Sequence, residues 1–198
     1  AGQSSRFRAS GGPDPTKLVA KLEGKPIVRR VAETALAAKA RPVVVVTGYA
    51  LDAVEAAVAG LDVELAFNPS FASGLASSLK AGLAATPPDA AGAIVLLGDM
   101  PWIEPRLIDA LIDAYLARDG ALAAIPSREG RRGNPVVLGR GLFEAAMRLE
   151  GDEGARRLIG ALGAKELVEV EAGDMGATFD IDTPDDLMAA ARFRSGRV

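Results

Sequence analysis

At 198 residues, 49% of them hydrophobic, the chain is long enough for one domain, residues 1–198, with a sizeable core. Its net charge of -3 lacks the basic field that general nucleic-acid binding requires, and no apolar run approaches the roughly 20 residues that span a bilayer. The absence of cysteine and histidine excludes disulfides, thiolate nucleophiles, zinc–thiolate sites, imidazole bases and Ser-His-Asp triads. Chemistry is left to carboxylates, lysine, arginine, hydroxyls, backbone amides and a hard, oxygen-seeking metal ion. With no secretory signal visible, a cytoplasmic protein is expected.

The chain opens on Ala1-Gly2-Gln3-Ser4-Ser5-Arg6 and, after a flexible Gly/Pro-rich stretch at residues 10–15, reaches Lys17. Glycine lets backbone amides approach a ligand, and hydroxyls with amides form an anion-binding hollow. A helix starting near Ser4 would aim its positive end at phosphate. Arg6 and Lys17 would then add a fork and a point charge for a polyphosphate, although the same composition suits an ordinary turn.

Beyond this loop, apolar runs alternate with helical patterns. Residues 26–40 carry Pro near the start and apolar residues at helical spacing. Residues 43–48 read as a strand buried on both faces, followed by a helix at 52–58 and a strand at 63–67 that Asn68-Pro69 stops. A helix at 75–85 leads to the clearest strand, 93–97, and then to a helix at 105–117. Weaker strands are expected at 121–125, 136–138 and 167–170, and helices at 142–149, 153–162 and 184–192. The alternation predicts an α/β fold, a mostly parallel sheet with helices on both faces and ligands beyond the carboxyl ends of the strands.

Six further segments stand at element boundaries. Gly98-Asp99-Met100-Pro101 follows the best strand, where Asp99 would hold Mg2+ or cap the next turn. In Asp180-Ile181-Asp182, strand alternation places the two carboxylates on one face, where a metal offsets their repulsion, and turns Ile181 to the core. Thr183-Pro184-Asp185-Asp186 reads as a helix start, with Thr183 as cap and both acids structural. Asn68 with Gly74, Ser77 and Ser78, and Arg131-Arg132-Gly133-Asn134-Pro135, would line a pocket or simply occupy turns and a first helical turn. In Gly151-Asp152-Glu153-Gly154-Ala155-Arg156, Asp152 would cap a helix, or Arg156 would serve a second anion site.

Taken in order, AGQSSRF with Lys17, KLEGKPIVRRV, VVVVTG, NPSFASGLASSL, LLGDMP, GRRGNPVVL, GDEGAR and DIDTPDDL resemble the MobA-like NTP transferase family over nearly the whole chain. The GDMP, RRGNPV, GDEGAR and DIDTP group is most similar to the molybdenum cofactor cytidylyltransferases. The resemblance implies a Rossmann-like fold of the nucleotide-diphospho-sugar transferase type, whose opening loop (Ala1, Gly2, Gln3, Ser4) wraps the NTP. It implies Gly2, Arg6 and Lys17 on base and phosphates, Mg2+ on Asp99, and Asp182 or Asp180 completing the metal site. Asn68, Gly74, Ser77 and Ser78 would lie at the nucleotide facing the acceptor, with Asn134, Asp152 and Arg156 on the acceptor itself. The implied reaction moves CMP from CTP to molybdopterin, ultimately serving a molybdoenzyme. Rival expectations are a guanylyltransferase, a transferase for another phosphorylated acceptor, and a cofactor-binding chaperone.

The chain departs from the family pattern twice. The family places an apolar, central strand before the Ala-Gly, so truncated numbering is expected here. It also carries Gly soon after the signature Arg, where this chain has Phe7-Arg8 and an insertion that delays Lys17. The shape of the phosphate loop is therefore left open by the sequence.

Overall fold

The computed structural model of the chain describes residues 4–173 and 180–195. Ala1, Gly2 and Gln3, expected around the nucleotide, lie outside the described residues.

In chain order the elements are α1 (Ser5–Ala9), β1 (Lys21–Leu22), β2 (Lys25–Pro26), α2 (Ile27–Ala37), β3 (Val44–Thr47), α3 (Leu51–Val58), β4 (Glu64–Phe67), α4 (Leu75–Ala84) and β5 (Gly92–Val95). They continue with α5 (Pro105–Ala117), β6 (Ala123–Arg128), β7 (Arg131–Arg132), β8 (Val136–Gly139), α6 (Phe143–Ala146), α7 (Ala155–Gly160), β9 (Leu167–Glu171) and α8 (Pro184–Ser195). The strands and helices expected between residues 26 and 170 are thus present with shifted ends, as is the helix expected at 184–192. Among the described residues no helix is long and apolar enough to cross a membrane.

The α/β class holds, but the main sheet is mixed rather than mostly parallel: β5, β8, β6, β7 and β9 form one five-stranded sheet, and β1–β2 and β3–β4 are separate pairs. β3 and β4 pair in parallel, and β6 pairs with β9 in parallel. β8 runs antiparallel between β5 and β6. The reversal is local in origin: β6 and β7 are joined through Glu129 and Gly130, both at positive φ (50° and 74°), as a two-residue type I′ hairpin demands. A connection this short brings the chain back antiparallel, and β8 inherits that direction. The residue pattern announces no hairpin here and reads at 131–135 as a pocket lining or turns.

Alternation along the strands builds two cores. Ala123, Ile125, Val136, Leu138 and Leu167 pack with Leu79 and Leu83 of α4, whereas Ala124, Val137 and Val168 pack with Leu107, Ile108 and Leu111 of α5. Helices therefore cover both faces, as the periodicities of two and 3.6 require. Each fully buried leucine or isoleucine of α5 contributes about 1.5–3 kcal/mol by leaving water. A smaller cluster, Val28, Ala32, Val54 and Val58, fixes α2 and α3 beside Val45.

A fourth cluster bears on function, because it ties the start of the chain to its end. Phe7 of α1 is 1% exposed and packs with Leu22, Ile27, Ile181 and Ala190. The inserted segment folds back over it, with the Gly12 amide donating to the Phe7 carbonyl at 3.0 Å. A Cβ on Gly12 would stand 2.3 Å from the Phe7 ring, so only glycine fits against the aromatic there. Phe7→Ala is expected to lower stability by about 3–5 kcal/mol, measured by urea denaturation, because a buried ring is replaced by a cavity.

Candidate active site

Three distant segments meet at one ammonium group. Lys17 Nζ lies 2.7 Å from Asp99 Oδ2 and 2.6 Å from Asp182 Oδ1, and Arg6 Nη1 lies 2.6 Å from the other Asp182 oxygen. The side chains of Lys17 and Asp99 are only 14% and 19% exposed, against 35% for Asp182 and 78% for Arg6. The Lys17–Asp99 pair therefore lies in a poorly hydrated setting where charges interact strongly, whereas water and salt screen Arg6.

Each partner is placed by local chain geometry. Asp99 follows β5 in a turn closed by the Met100 amide on the Leu97 carbonyl at 3.3 Å. No described backbone group takes a hydrogen bond to its side chain: Oδ2 goes to Lys17 and Oδ1 is buried without a partner among the described residues. It is not a turn cap.

Lys17 begins a short 3-10 turn, Lys17–Val19, whose cap is Thr16. The Thr16 hydroxyl accepts from the Leu18 amide and shares a 2.8 Å bond with the Ser4 hydroxyl, while the Lys17 amide donates to Ser4 Oγ at 3.2 Å. The helix expected near Ser4 exists as the five-residue α1, but the Ser4 side chain does not cap it and holds the Lys17 turn instead. Thr16 escaped the sequence reading. Its signal was the hydroxyl two residues before a backbone amide, a turn that Ser and Thr make locally.

Asp182 is held from below. Ile181 is fully buried and its amide donates to the Asp99 carbonyl at 3.0 Å, fastening this segment to the turn after β5. Asp186 Oδ2 accepts from the Asp182 amide, the Thr183 amide and the Thr183 hydroxyl at 3.0, 2.8 and 2.8 Å. The Asp186 amide donates back to Thr183 Oγ1, so the Thr183 cap expected for α8 is made and Asp186 reciprocates it. Residues 180–182 do not form a strand, contrary to expectation. Ile181 still separates the two acids, but Asp180 is exposed and makes no ion pair with another described residue, so it is not part of the cluster.

A second group gathers at the carboxyl end of β4. Asn68, 3% exposed, donates to Ser77 Oγ at 2.8 Å and Ser78 Oγ at 3.2 Å, and its oxygen accepts from the Ser70 amide. Its amide group thus latches the first turn of α4 and is almost shut off from solvent. Gly74 at φ 104° touches the backbone of Gly151, where a Cβ would come within 2.3 Å. The Ala76 amide donates to the Gly151 carbonyl at 3.0 Å, so the segment 151–154 is seated on the start of α4. Asp152 and Arg156 are exposed, and Gly154 rather than Asp152 occupies the capping position of α7. Asn134 is half-buried after the β6–β7 hairpin.

Two carboxylates, one ammonium and one guanidinium balance in charge: the acids offer hard oxygen donors to a cation, and the bases offer charged hydrogen bonds to phosphate. On an α/β scaffold this composition suits an NTP transferase. A family model described as the MobA-like NTP transferase domain matches residues 1–167, and the chain belongs to that family. A homolog of Rv0371c from Mycobacterium sp. strain JC1 is 26% identical, with a TM-score of 0.81 over 98% of this chain and 94% of that one. Rv0371c of Mycobacterium tuberculosis H37Rv, solved in complex with manganese, is 25% identical with a TM-score of 0.77, over 90% and 91% of the two chains. The purine catabolism protein PucB of Bacillus subtilis (strain 168) is 37% identical over 97 residues. That match covers 48% of this chain and 44% of PucB, under half of the relative's length. Asp182 lies beyond the residues matched by the family model.

The cluster makes stability depend on pH. The hydrogen bond from Lys17 holds the Asp182 carboxyl below its usual value against the opposing effect of burial, with the Lys17 and Arg6 charges adding. The Thr183 hydroxyl does the same for Asp186, helped by two backbone amides. For Lys17, burial disfavours the ammonium, but the Asp99 charge and the carboxylate hydrogen bonds outweigh it and raise its value. The acids' stabilisation is therefore complete above the unfolded carboxylate value of about 4 and is lost as pH falls through the lower folded values. That of Lys17 is complete below about 10.4 and is lost only as pH rises through its raised value. Urea denaturation is expected to show stability declining below about pH 4, and Asp186→Ala to flatten that decline. Thr16→Val, which keeps shape but breaks the Ser4 tether, is expected to cost about 1–3 kcal/mol in the same measurement.

Proposed function

We propose that the chain transfers CMP from CTP to the terminal phosphate of a molybdopterin-type acceptor and releases pyrophosphate. The observation that carries this reading is the Lys17 ammonium held between Asp99 and Asp182 with Arg6 alongside. Membership of an NTP transferase family supports nucleotidyl transfer, and the GDMP, RRGNPV, GDEGAR and DIDTP segments support the cytidylyl branch.

The two carboxylates fit a divalent cation such as Mg2+. Their donors are all oxygen, and Asp99 Oδ1 is buried with no partner among the described residues. Two protein carboxylates, with no larger acidic cluster among the described residues, suit a cation that takes its remaining ligands from water and substrate phosphates. When bound, the cation neutralises charge on the triphosphate.

The acceptor phosphate is already anionic at neutral pH, so its oxygen attacks the α-phosphorus without a strong general base, and the absence of histidine costs nothing. A new P–O bond forms there as the bond to the β-phosphate oxygen breaks, and the electron pair leaves with pyrophosphate. Lys17 and Arg6 stabilise charge on the phosphates in flight, and the Ser4–Thr16 tether and the α8 cap hold the cluster in position. Asn68, Gly74, Ser77 and Ser78 shape the wall between nucleotide and acceptor, while Asn134, Asp152 and Arg156 face the acceptor.

Pyrophosphate release is the test, with Mg2+, molybdenum-loaded molybdopterin and each of the four NTPs in turn. Release with CTP alone is expected. GTP-dependent release would reassign the base, and no release with any NTP would replace the transferase reading by that of a cofactor-binding protein. In the same assay Asp99→Ala is expected to lose on the order of a hundredfold or more in kcat/KM. Near-normal turnover would remove Asp99 from the metal site.

A further inference from the structure

The ammonium of Lys17 touches both carboxylates assigned above to the divalent cation, at 2.7 and 2.6 Å. Two cations in contact with the same oxygens repel each other strongly in a setting this poorly hydrated. Lys17 is also the group that would meet the phosphates, yet Asp99 and Asp182 already take two of its three N–H donors and neutralise its charge. We infer that Lys17 is an exchangeable counter-cation: it yields Asp99 and Asp182 to a divalent cation and turns to the triphosphate, so that cation and triphosphate each favour the binding of the other. The inference rests on the reading of Asp99 and Asp182 as cation ligands.

Three features of the structure suit the exchange. Asp99 spends one oxygen on Lys17, and its buried Oδ1 is left without a partner among the described residues, a donor already available beside the lysine. The Lys17 backbone is pinned by Ser4 and by the Thr16-capped turn, and Leu18 packs 3.2 Å from the position of a Cβ on Gly98. Movement is therefore confined to a flexible four-carbon side chain, which changes rotamer far faster than a loop rearranges. Arg6 holds the remaining Asp182 oxygen from an exposed position, where screening makes the bond weak.

The first experiment is titration with Mn2+ alone, reading the free ion by electron paramagnetic resonance, with no nucleotide present. Lys17→Met is expected to bind Mn2+ roughly tenfold more tightly than the wild type, within the usual range of coupling between linked ligands. Arg6→Met, which removes the same charge without freeing Asp99, is expected to change affinity less. Lys17→Met that is folded by circular dichroism yet binds Mn2+ no better than wild type overturns the inference. In the wild type, Mg2+ alone is expected to raise the rate at which an amine-reactive reagent labels Lys17, read by mass spectrometry. An unchanged rate overturns the inference even if the variant fails to fold. Asp99→Asn separates the two readings. If it weakens Mn2+ binding while Lys17→Met does not strengthen it, only the exchange falls. If it leaves Mn2+ binding unchanged, the cation-site reading falls and takes the exchange with it.

Discussion

The contact on which the site depends is one lysine shared by two aspartates. Lys17 comes from the loop before β1, Asp99 from the turn after β5, and Asp182 from the segment leading into α8. Nothing local brings these residues together, since Lys17 and Asp182 stand 165 positions apart. The bridge survives because other interactions have already absorbed the cost of ordering the three segments. Phe7 and Ile181 share one hydrophobic cluster, Ser4 and Thr16 fix the lysine turn, and the Ile181 amide is bonded to the Asp99 carbonyl.

That arrangement gives the inserted loop a physical role. Where the family pattern carries a small residue after its arginine, this chain buries an aromatic, and the residues that delay Lys17 close over that ring through Gly12. Arg6 and Lys17 thereby flank a packed anchor rather than a bare glycine loop. The C-terminal segment plays the matching part, contributing both a carboxylate and the helix whose first turn orients it. A site assembled from both ends of a chain is sensitive to packing far from its charges.

Much of the scaffold could be read in the residues. The apolar runs at 43–46 and 93–97 announced strands, though the structure leaves them half-buried rather than buried on both faces, and Pro105 with Leu107, Ile108 and Leu111 announced α5, because these patterns are local and strongly periodic. The Thr183 cap of α8 was legible for the same reason, whereas the return bonds to Asp186 emerge only in the structure. The mixed sheet was less so. Its cause is the positive φ of Glu129 and Gly130, and a Glu-Gly pair is a weaker sign of a type I′ hairpin than Asn-Gly or Asp-Gly. Asp180 and Asp182 looked equivalent by alternation, but the chain there follows the turn after β5 instead of a strand, so only Asp182 joins the cluster.

By itself the sequence determined the α/β class, the family likeness, the exclusion of histidine and cysteine chemistry, and the short roll of charged residues from which a site had to be built. Residue type and spacing carry that information without reference to the rest of the chain. Tertiary structure alone decided which carboxylate pairs with Lys17, that Asn68 latches α4 through two serine hydroxyls, and that Phe7 anchors the opening loop. Those outcomes turn on distances between segments far apart in the chain, and such distances are set by how the buried faces pack.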